Sequence, residues 1–391
     1  MEKKKTKWYD WKNLLLMLIS TGVAIAIIEV FLRVLFASDQ DFLVQSYQDK
    51  EFLTENKYWG VWHFPDNEIR HKKECFDAVY ELNSFGMKGP EVDVRETSKK
   101  RIALLGDSYI EGYGKSNDQI LPYFLDSLLS DEYEILNFGT SGGFGNVEEV
   151  ALYENAASYF EPDLVVLFFL NYNDLYDNLK AVDRGLITDS GELVYPVAGS
   201  WQESYEEIHS HGEPQENQLD LGLYTLSLAA KGLASFKSTL QYLLNVKFDF
   251  RTAIAAMYNP QETDEIRKGY DFLAKSLERL DSLVKRDSAQ LLVVSLADPF
   301  QTDQNWLDFQ GSKMDAELQP SYPNERVKEI CNNMGIRHYD MLPETLAEIE
   351  KKEMEFPYFF HTCDRHLSEK GNRFAAELLY RYLKAKELLT K

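Results

Sequence analysis

An α/β architecture with a doubly wound parallel sheet is what the sequence predicts, and three observations predict it. Short apolar runs at 101–105, 133–138, 164–170 and 290–296 each give way to a loop, as buried parallel strands do. Segments of helical period at 119–129, 147–159, 265–285 and 324–334 lie between or after them. The alternation breaks between Asp174 and about residue 265, where an insertion interrupts the pattern. Strand alternating with helix implies a parallel sheet covered on both faces.

In chain order, the first element is a membrane anchor. Lys3, Lys4, Lys5, Lys7 and Lys12 precede or open an apolar run at 14–36 that is long enough to cross a hydrocarbon core of about 30 Å as a helix. The run outlasts the apolar core of a cleavable signal peptide, and Leu35 and Phe36, not small residues, precede Ala37. The basic cluster should stay cytoplasmic, which makes the chain a single-pass cell-membrane protein with a periplasmic or extracellular domain. Glu29 and Arg33 sit four apart on one helical face and can pair. The couple is either a contact for a membrane-protein partner or a self-paired unit near the interface, with Arg33 snorkelling outward.

Residues 1–37 therefore read as basic tail and anchor, 38–100 as a juxtamembrane segment leading into the domain, and 101–391 as the domain, with an insertion at about 178–264. Trp59 and Trp62 in the juxtamembrane segment are expected to pack inward more than to seat the domain at a membrane interface. Within the insertion, 184–221 reads as polar loop. Residues 223–257 read as helical, with Leu226, Leu233, Phe236, Leu240, Leu243 and Leu244 buried. Lying over the carboxyl edge of the sheet, this piece is either a lid or a packing helix.

Composition limits the function classes. A formal net charge of −22 excludes a nucleic-acid binder, because no basic stripe is present to replace phosphate counterions. The three cysteines Cys75, Cys331 and Cys363 allow one bridge with one thiol left over, and their spacing does not say which pair. No Cys/His set has metal-ligand spacing; His209 and His211 flank a single residue in a polar loop and lack further ligands, so no metal and no cofactor are expected.

The residues that carry chemistry follow the predicted strands. Gly106-Asp107-Ser108 sits where the first strand meets a loop, so Ser108 projects from the sheet edge and its own N–H can face a developing oxyanion. A serine needs a base to become a nucleophile. Asn137-Phe138-Gly139-Thr140-Ser141-Gly142-Gly143 follows the second strand and can bring a backbone N–H to a substrate. Asn171-Tyr172-Asn173-Asp174 follows the third and supplies a side-chain amide. Asp364-Arg365-His366-Leu367-Ser368 precedes the last helix, with His361 a rival imidazole on the same stretch. Asp107 and Asp174 are expected to brace loops, and Asp298-Pro299 either lines the pocket or ends its strand in a turn. Parallel strands deliver such loops to one edge.

These blocks resemble the SGNH (GDSL-like) hydrolase family, membrane-anchored bacterial type, over roughly residue 83 to the carboxy terminus apart from the insertion. The resemblance implies a flavodoxin-like sheet, with Ser108 as nucleophile, His366 and Asp364 as the rest of the triad, and Ser108, Gly142 and Asn173 as the oxyanion hole. Asn83-Ser84-Phe85-Gly86-Met87-Lys88-Gly89 further resembles a signature of anchored members. Three positions depart from the family pattern: Tyr109 stands for Leu, Asn171 for Gly, and the acid block is Asp-x-His instead of Asp-x-x-His. The implied activity is an esterase acting on an acylated glycan or lipid. O-acyl transfer to an envelope polysaccharide and an inactive scaffold in a membrane complex are the alternatives.

Overall fold

A computed structural model describes residues 11–35, 46–95, 97–216, 254–354 and 357–389. The described residues fall into two units, 11–35 with 46–47 in one and 48–216 with 254–389 in the other. In the first, α1 (Trp11–Leu35) contains 22 residues, Asn13–Val34, with a mean hydropathy of 2.5, long and apolar enough to cross a membrane. Arg33 Nε donates to Glu29 Oε1 at 2.8 Å, the pairing that their spacing predicts. The expected insertion helix at 223–257 lies outside the described residues up to 253.

The second unit is built on a parallel sheet of β6 (Lys100–Gly106), β7 (Tyr133–Gly139), β8 (Leu164–Phe169), β9 (Gln290–Ser295) and β10 (Arg337–Asp340), in the order β10-β9-β8-β6-β7. Counted by appearance the order is 5-4-3-1-2, so the sheet is doubly wound and flavodoxin-like, with its switch point between β6 and β8. Alternate residues of one strand feed two different cores. Ala103 and Leu105 of β6, with Val165, Leu167 and Phe169 of β8, pack against α4 (Asn146–Asn155) and α7 (Asp264–Arg286). Ile102 and Leu104, with Val166 and Phe168, pack against α3 (Leu121–Leu128) and α11 (Glu369–Ala385). Every position of β8 is buried, which is why its sequence shows no alternation. The edge strand β10 escapes the sequence reading because Arg337-His338-Tyr339-Asp340 has no apolar run; it pairs with β9 alone.

Ahead of the sheet come β1 (Ser46–Gln48), β2 (Leu53–Asn56), β3 (Gly60–His63), β4 (Glu68–Lys73) and β5 (Phe76–Glu81). β2 pairs with β3 and β4 with β5, both antiparallel. Trp59 and Trp62 are 0% and 2% exposed and belong to the core. The 184–221 stretch, expected as loop, contains helix α6 (Trp201–Ile208). Ser200 caps it by accepting from the Glu203 N–H at 3.3 Å, and Ser204 and Ile208 bury one face. Its Trp201 and Tyr205 rings lie 5.6 and 6.1 Å from that of Phe85. The surrounding glutamates make the segment read as polar throughout and so hide that i, i+4 stripe.

Candidate active site

The turn after β6 presents the serine. Asp107 caps α2 (Ser108–Glu111), its carboxylate accepting the Tyr109 N–H at 2.9 Å, so Ser108 opens the helix where N–H groups lack an intrahelical acceptor. Ser108 Oγ lies 2.8 Å from His366 Nε2, and His366 Nδ1 is hydrogen-bonded to Asp364 Oδ1. With the carboxylate ionised, Nδ1 carries the proton and Nε2 is left to accept from the hydroxyl. Burial pushes the Asp364 carboxyl up, but the hydrogen bonds and charges of His366 and Lys73 outweigh it and hold the group well below the usual carboxylate range.

Arg365 explains how an Asp-x-His block makes this pair. Its backbone sits at φ +70°, a left-handed conformation unusual for a non-glycine residue, and the turn it makes presents Asp364 to the imidazole two residues on. The conformation is held from outside: the Tyr109 hydroxyl donates to the Arg365 carbonyl at 2.7 Å, and the Arg365 guanidinium rests 4.7 Å above the Phe300 ring. The Tyr109 and Asp-x-His departures are thus two ends of one contact. Tyr113 stacks on the His366 ring with centroids 4.3 Å apart. His361, the rival base, instead packs against Phe76 with ring centroids 5.3 Å apart, and its backbone N–H donates to His366 O at 2.8 Å. Burial pushes its imidazole down to about 4.

Two groups here escaped the sequence reading. Lys73, at the end of β4, hydrogen-bonds Asp364 Oδ2. Cys75, in the turn between β4 and β5, forms a disulfide with Cys363, leaving Cys331 buried and reduced. Both reach across almost the whole domain in sequence, and an antiparallel hairpin ahead of the parallel sheet carries no signal pointing to residues 363 and 364.

The expected oxyanion groups are arranged less directly. The Asn173 amide nitrogen donates to Asp107 Oδ2 at 2.9 Å, which fixes it to the turn that carries Ser108. Gly142 sits at φ +92°, and a Cβ there would come 2.9 Å from Leu53 Cδ1. Its turn is clamped from both sides. Glu111 of α2 accepts the Ser141 N–H, while Arg184 donates to the Gly143 carbonyl at 2.7 Å and to that of Gly142 at 3.4 Å. Burial pushes the Glu111 carboxyl up, but His63, Lys88 and the Ser141 N–H together draw it below its ordinary value.

Lys88, the basic residue of the Asn83–Gly89 motif, also braces the segment that carries Ser108. Wholly buried, it donates to the Gly112 carbonyl at 2.8 Å and to that of Lys115, tying down the chain just after α2. Behind α2 lie carboxyls that burial pushes upward: Asp107 to about 6, and Glu149 and Asp174 well above their usual range. Asn146 Nδ2 donates to both Glu149 Oε2 and Asp174 Oδ2, at 2.9 and 3.3 Å. Asp174 also accepts the Leu170 N–H at 2.8 Å, a bracing role. Asp298 caps its own turn, accepting the Phe300 and Gln301 N–H groups at 2.8 and 3.0 Å. Among the described residues no cluster of His, Cys, Asp and Glu is arranged to hold a metal.

The fold and the site together define an α/β chain with a serine, a histidine and an aspartate hydrogen-bonded in series at the carboxyl edge of a parallel sheet. No protein-family model and no curated protein matches the sequence. Among solved structures the chain is similar to an acetyl xylan esterase, at 15% identity over 72% of this chain and 99% of that one, with a TM-score of 0.40. It is also similar to a protein of the G-D-S-L family, described as lipolytic, from Desulfitobacterium hafniense (10% identity, 72% and 99% covered, TM-score 0.37). A lipase/acylhydrolase from Enterococcus faecalis is a third (12% identity, 73% and 96% covered, TM-score 0.35).

Proposed function

We propose that this chain is a membrane-anchored, extracytoplasmic serine esterase that cleaves acyl esters of a glycan or lipid through an acyl-serine intermediate. The observation that carries the reading is the unbroken series Ser108 Oγ, His366, Asp364, drawn from loops 258 residues apart. His366 Nε2 takes the proton as Ser108 Oγ attacks the carbonyl carbon, and Asp364 offsets the charge that forms on the ring. The oxyanion of the tetrahedral intermediate falls to the N–H groups of Ser108 and Gly142 and to the Asn173 amide, each such donor contributing about 2.7–4 kcal/mol. Collapse expels the alkoxide, which takes the proton back from His366. Water, deprotonated by the same imidazole, then releases the acid.

The cellular address is supported by α1 and by the Cys75–Cys363 bond, since disulfides persist where the reducing cytosol does not reach. The test is labelling of the full chain by a fluorophosphonate, together with turnover of p-nitrophenyl acetate. Both should vanish in Ser108→Ala. Labelling that survives this substitution, or a wild-type chain that neither labels nor turns over, sinks the proposal. Adding an oligosaccharide acceptor and analysing the products separates hydrolysis from acyl transfer.

A further inference from the structure

We propose that Lys73 is a positioning residue for the Asp364–His366 pair, held there by the Cys75–Cys363 disulfide, so that the working site is the series Lys73, Asp364, His366, Ser108. The proposal rests on the reading of Ser108 as nucleophile. Lys73 and Phe76 are register partners at the turn end of the β4–β5 hairpin, with Cys75 in the turn between them. Three side chains of this tip engage the His366 loop. The Lys73 ammonium bonds Asp364 Oδ2, Cys75 is bridged to Cys363, and the Phe76 ring lies 5.3 Å from that of His361. The same ammonium sits 4.9 Å over the Tyr113 ring, which also stacks on His366.

The chemistry suits the task. A carboxylate bonded to imidazole through one oxygen can still rotate, and fixing the second oxygen fixes the plane that the imidazole must follow. An ammonium carries donors and no acceptor, so it cannot compete for the His366 Nδ1 proton. Its charge also opposes uptake of a further proton by the pair. Asp107, Tyr109 and Tyr113 from the nucleophile segment, Tyr172 after β8, His361 on the same loop and His71 on β4 also face the pair. Among the described residues Lys73 is the cation that ion-pairs with it. Burial opposes its charge, but its bonds to Asp364 and Tyr113 carry the ammonium above its ordinary value, so it stays charged across the working range.

The full chain in detergent micelles serves for the test, with p-nitrophenyl acetate turnover and fluorophosphonate labelling followed from about pH 5 to about pH 9. Lys73→Met should lower kcat about tenfold, leave KM within about twofold, and raise the acid limb of kcat/KM by about half a pH unit. Lys73→Arg should recover most of the rate. Lys73→Gln, a donor without charge, should keep more of kcat than Lys73→Met yet show the same displaced acid limb. A Cys75→Ser/Cys363→Ser chain should move in the same direction as Lys73→Met. Wild-type kcat and an unmoved acid limb in Lys73→Met and Lys73→Gln overturn the role of Lys73, while Ser108-dependent labelling in those chains leaves the nucleophile standing. A wild-type chain without Ser108-dependent labelling overturns both.

Discussion

Replacing Asp364 by Asn tests the electrostatics of the site more severely than deleting it. Asp364 receives hydrogen bonds on both oxygens, from His366 Nδ1 and from the Lys73 ammonium. An amide has one acceptor and one donor end, and an ammonium can meet only the acceptor. Lys73 therefore dictates that the Asn oxygen turns toward it and the NH2 toward Nδ1. That forces the His366 proton onto Nε2, where it faces Ser108 Oγ at 2.8 Å and can accept nothing. The wrong tautomer in a Ser–His–Asp site costs about ten-thousandfold in kcat, or about 5.5 kcal/mol at 1.36 kcal/mol per decade. Adding Lys73→Met to Asp364→Asn releases the amide to flip, restoring the productive tautomer, so activity should rise about tenfold over the single Asn variant. In the wild-type background the same Lys73→Met change lowers activity. The assay is steady-state hydrolysis of p-nitrophenyl acetate with labelling rate as a second readout. If Asp364→Asn keeps more than about a tenth of the activity, or Lys73→Met lowers it further in that background, the assignment of the hydrogen bonds is wrong.

Tyr109→Phe removes the hydroxyl on the Arg365 carbonyl; it should cost about 1 kcal/mol of stability in urea unfolding and several-fold in kcat. Adding Arg365→Gly should return part of the loss, because glycine holds φ near +70° without steric penalty; no recovery would mean that the backbone turn is not what Tyr109 supports. Glu149 is buried with its carboxyl pushed well above the usual range, first by desolvation and then by Asp107 and Glu148 despite the bond from Asn146. A raised folded-state value means the native protein holds this proton when the unfolded chain has lost it. Its share of stability is therefore present below about pH 4 and is lost as pH rises toward the folded value. Glu149→Gln should stabilise the protein at about pH 8 and do little at about pH 4, read from urea midpoints, and an equal effect at both values would contradict the buried neutral form. Reducing Cys75–Cys363, which spans 288 residues, should lower unfolding stability by about 2–4 kcal/mol; an unchanged midpoint would mean the hairpin tip is held by its other contacts alone.

Much of this was legible in the sequence, and the residues explain why. The strands buried on both faces announced themselves as apolar runs, as in Leu164–Phe169, and the polar clusters after them lay at one edge because the sheet is parallel. Ser108 and His366 could be paired because one follows a strand and opens α2 and the other lies just before the last helix. What stayed hidden depends on contacts between distant segments. Lys73 looks like one more charge on an alternating hairpin, and three cysteines do not say which two meet. Asn173 reads from the sequence as an oxyanion donor, and the structure adds a bond from its amide to Asp107, the residue that caps α2. Even β10 needed β9 beside it before its four polar-looking residues became a strand.

The Cys75–Cys363 bond has a consequence for when the protein first becomes competent. Its partners leave the ribosome 288 residues apart, and His366 lies three residues beyond the later one. A chain interrupted anywhere before residue 366 holds Ser108 without the imidazole that bonds it. A chain finished where thiols remain reduced lacks the staple that seats Lys73 beside Asp364. On the proposed reading, Ser108 therefore gains its imidazole only after Cys363 has been made, and Lys73 is stapled beside Asp364 only after oxidation.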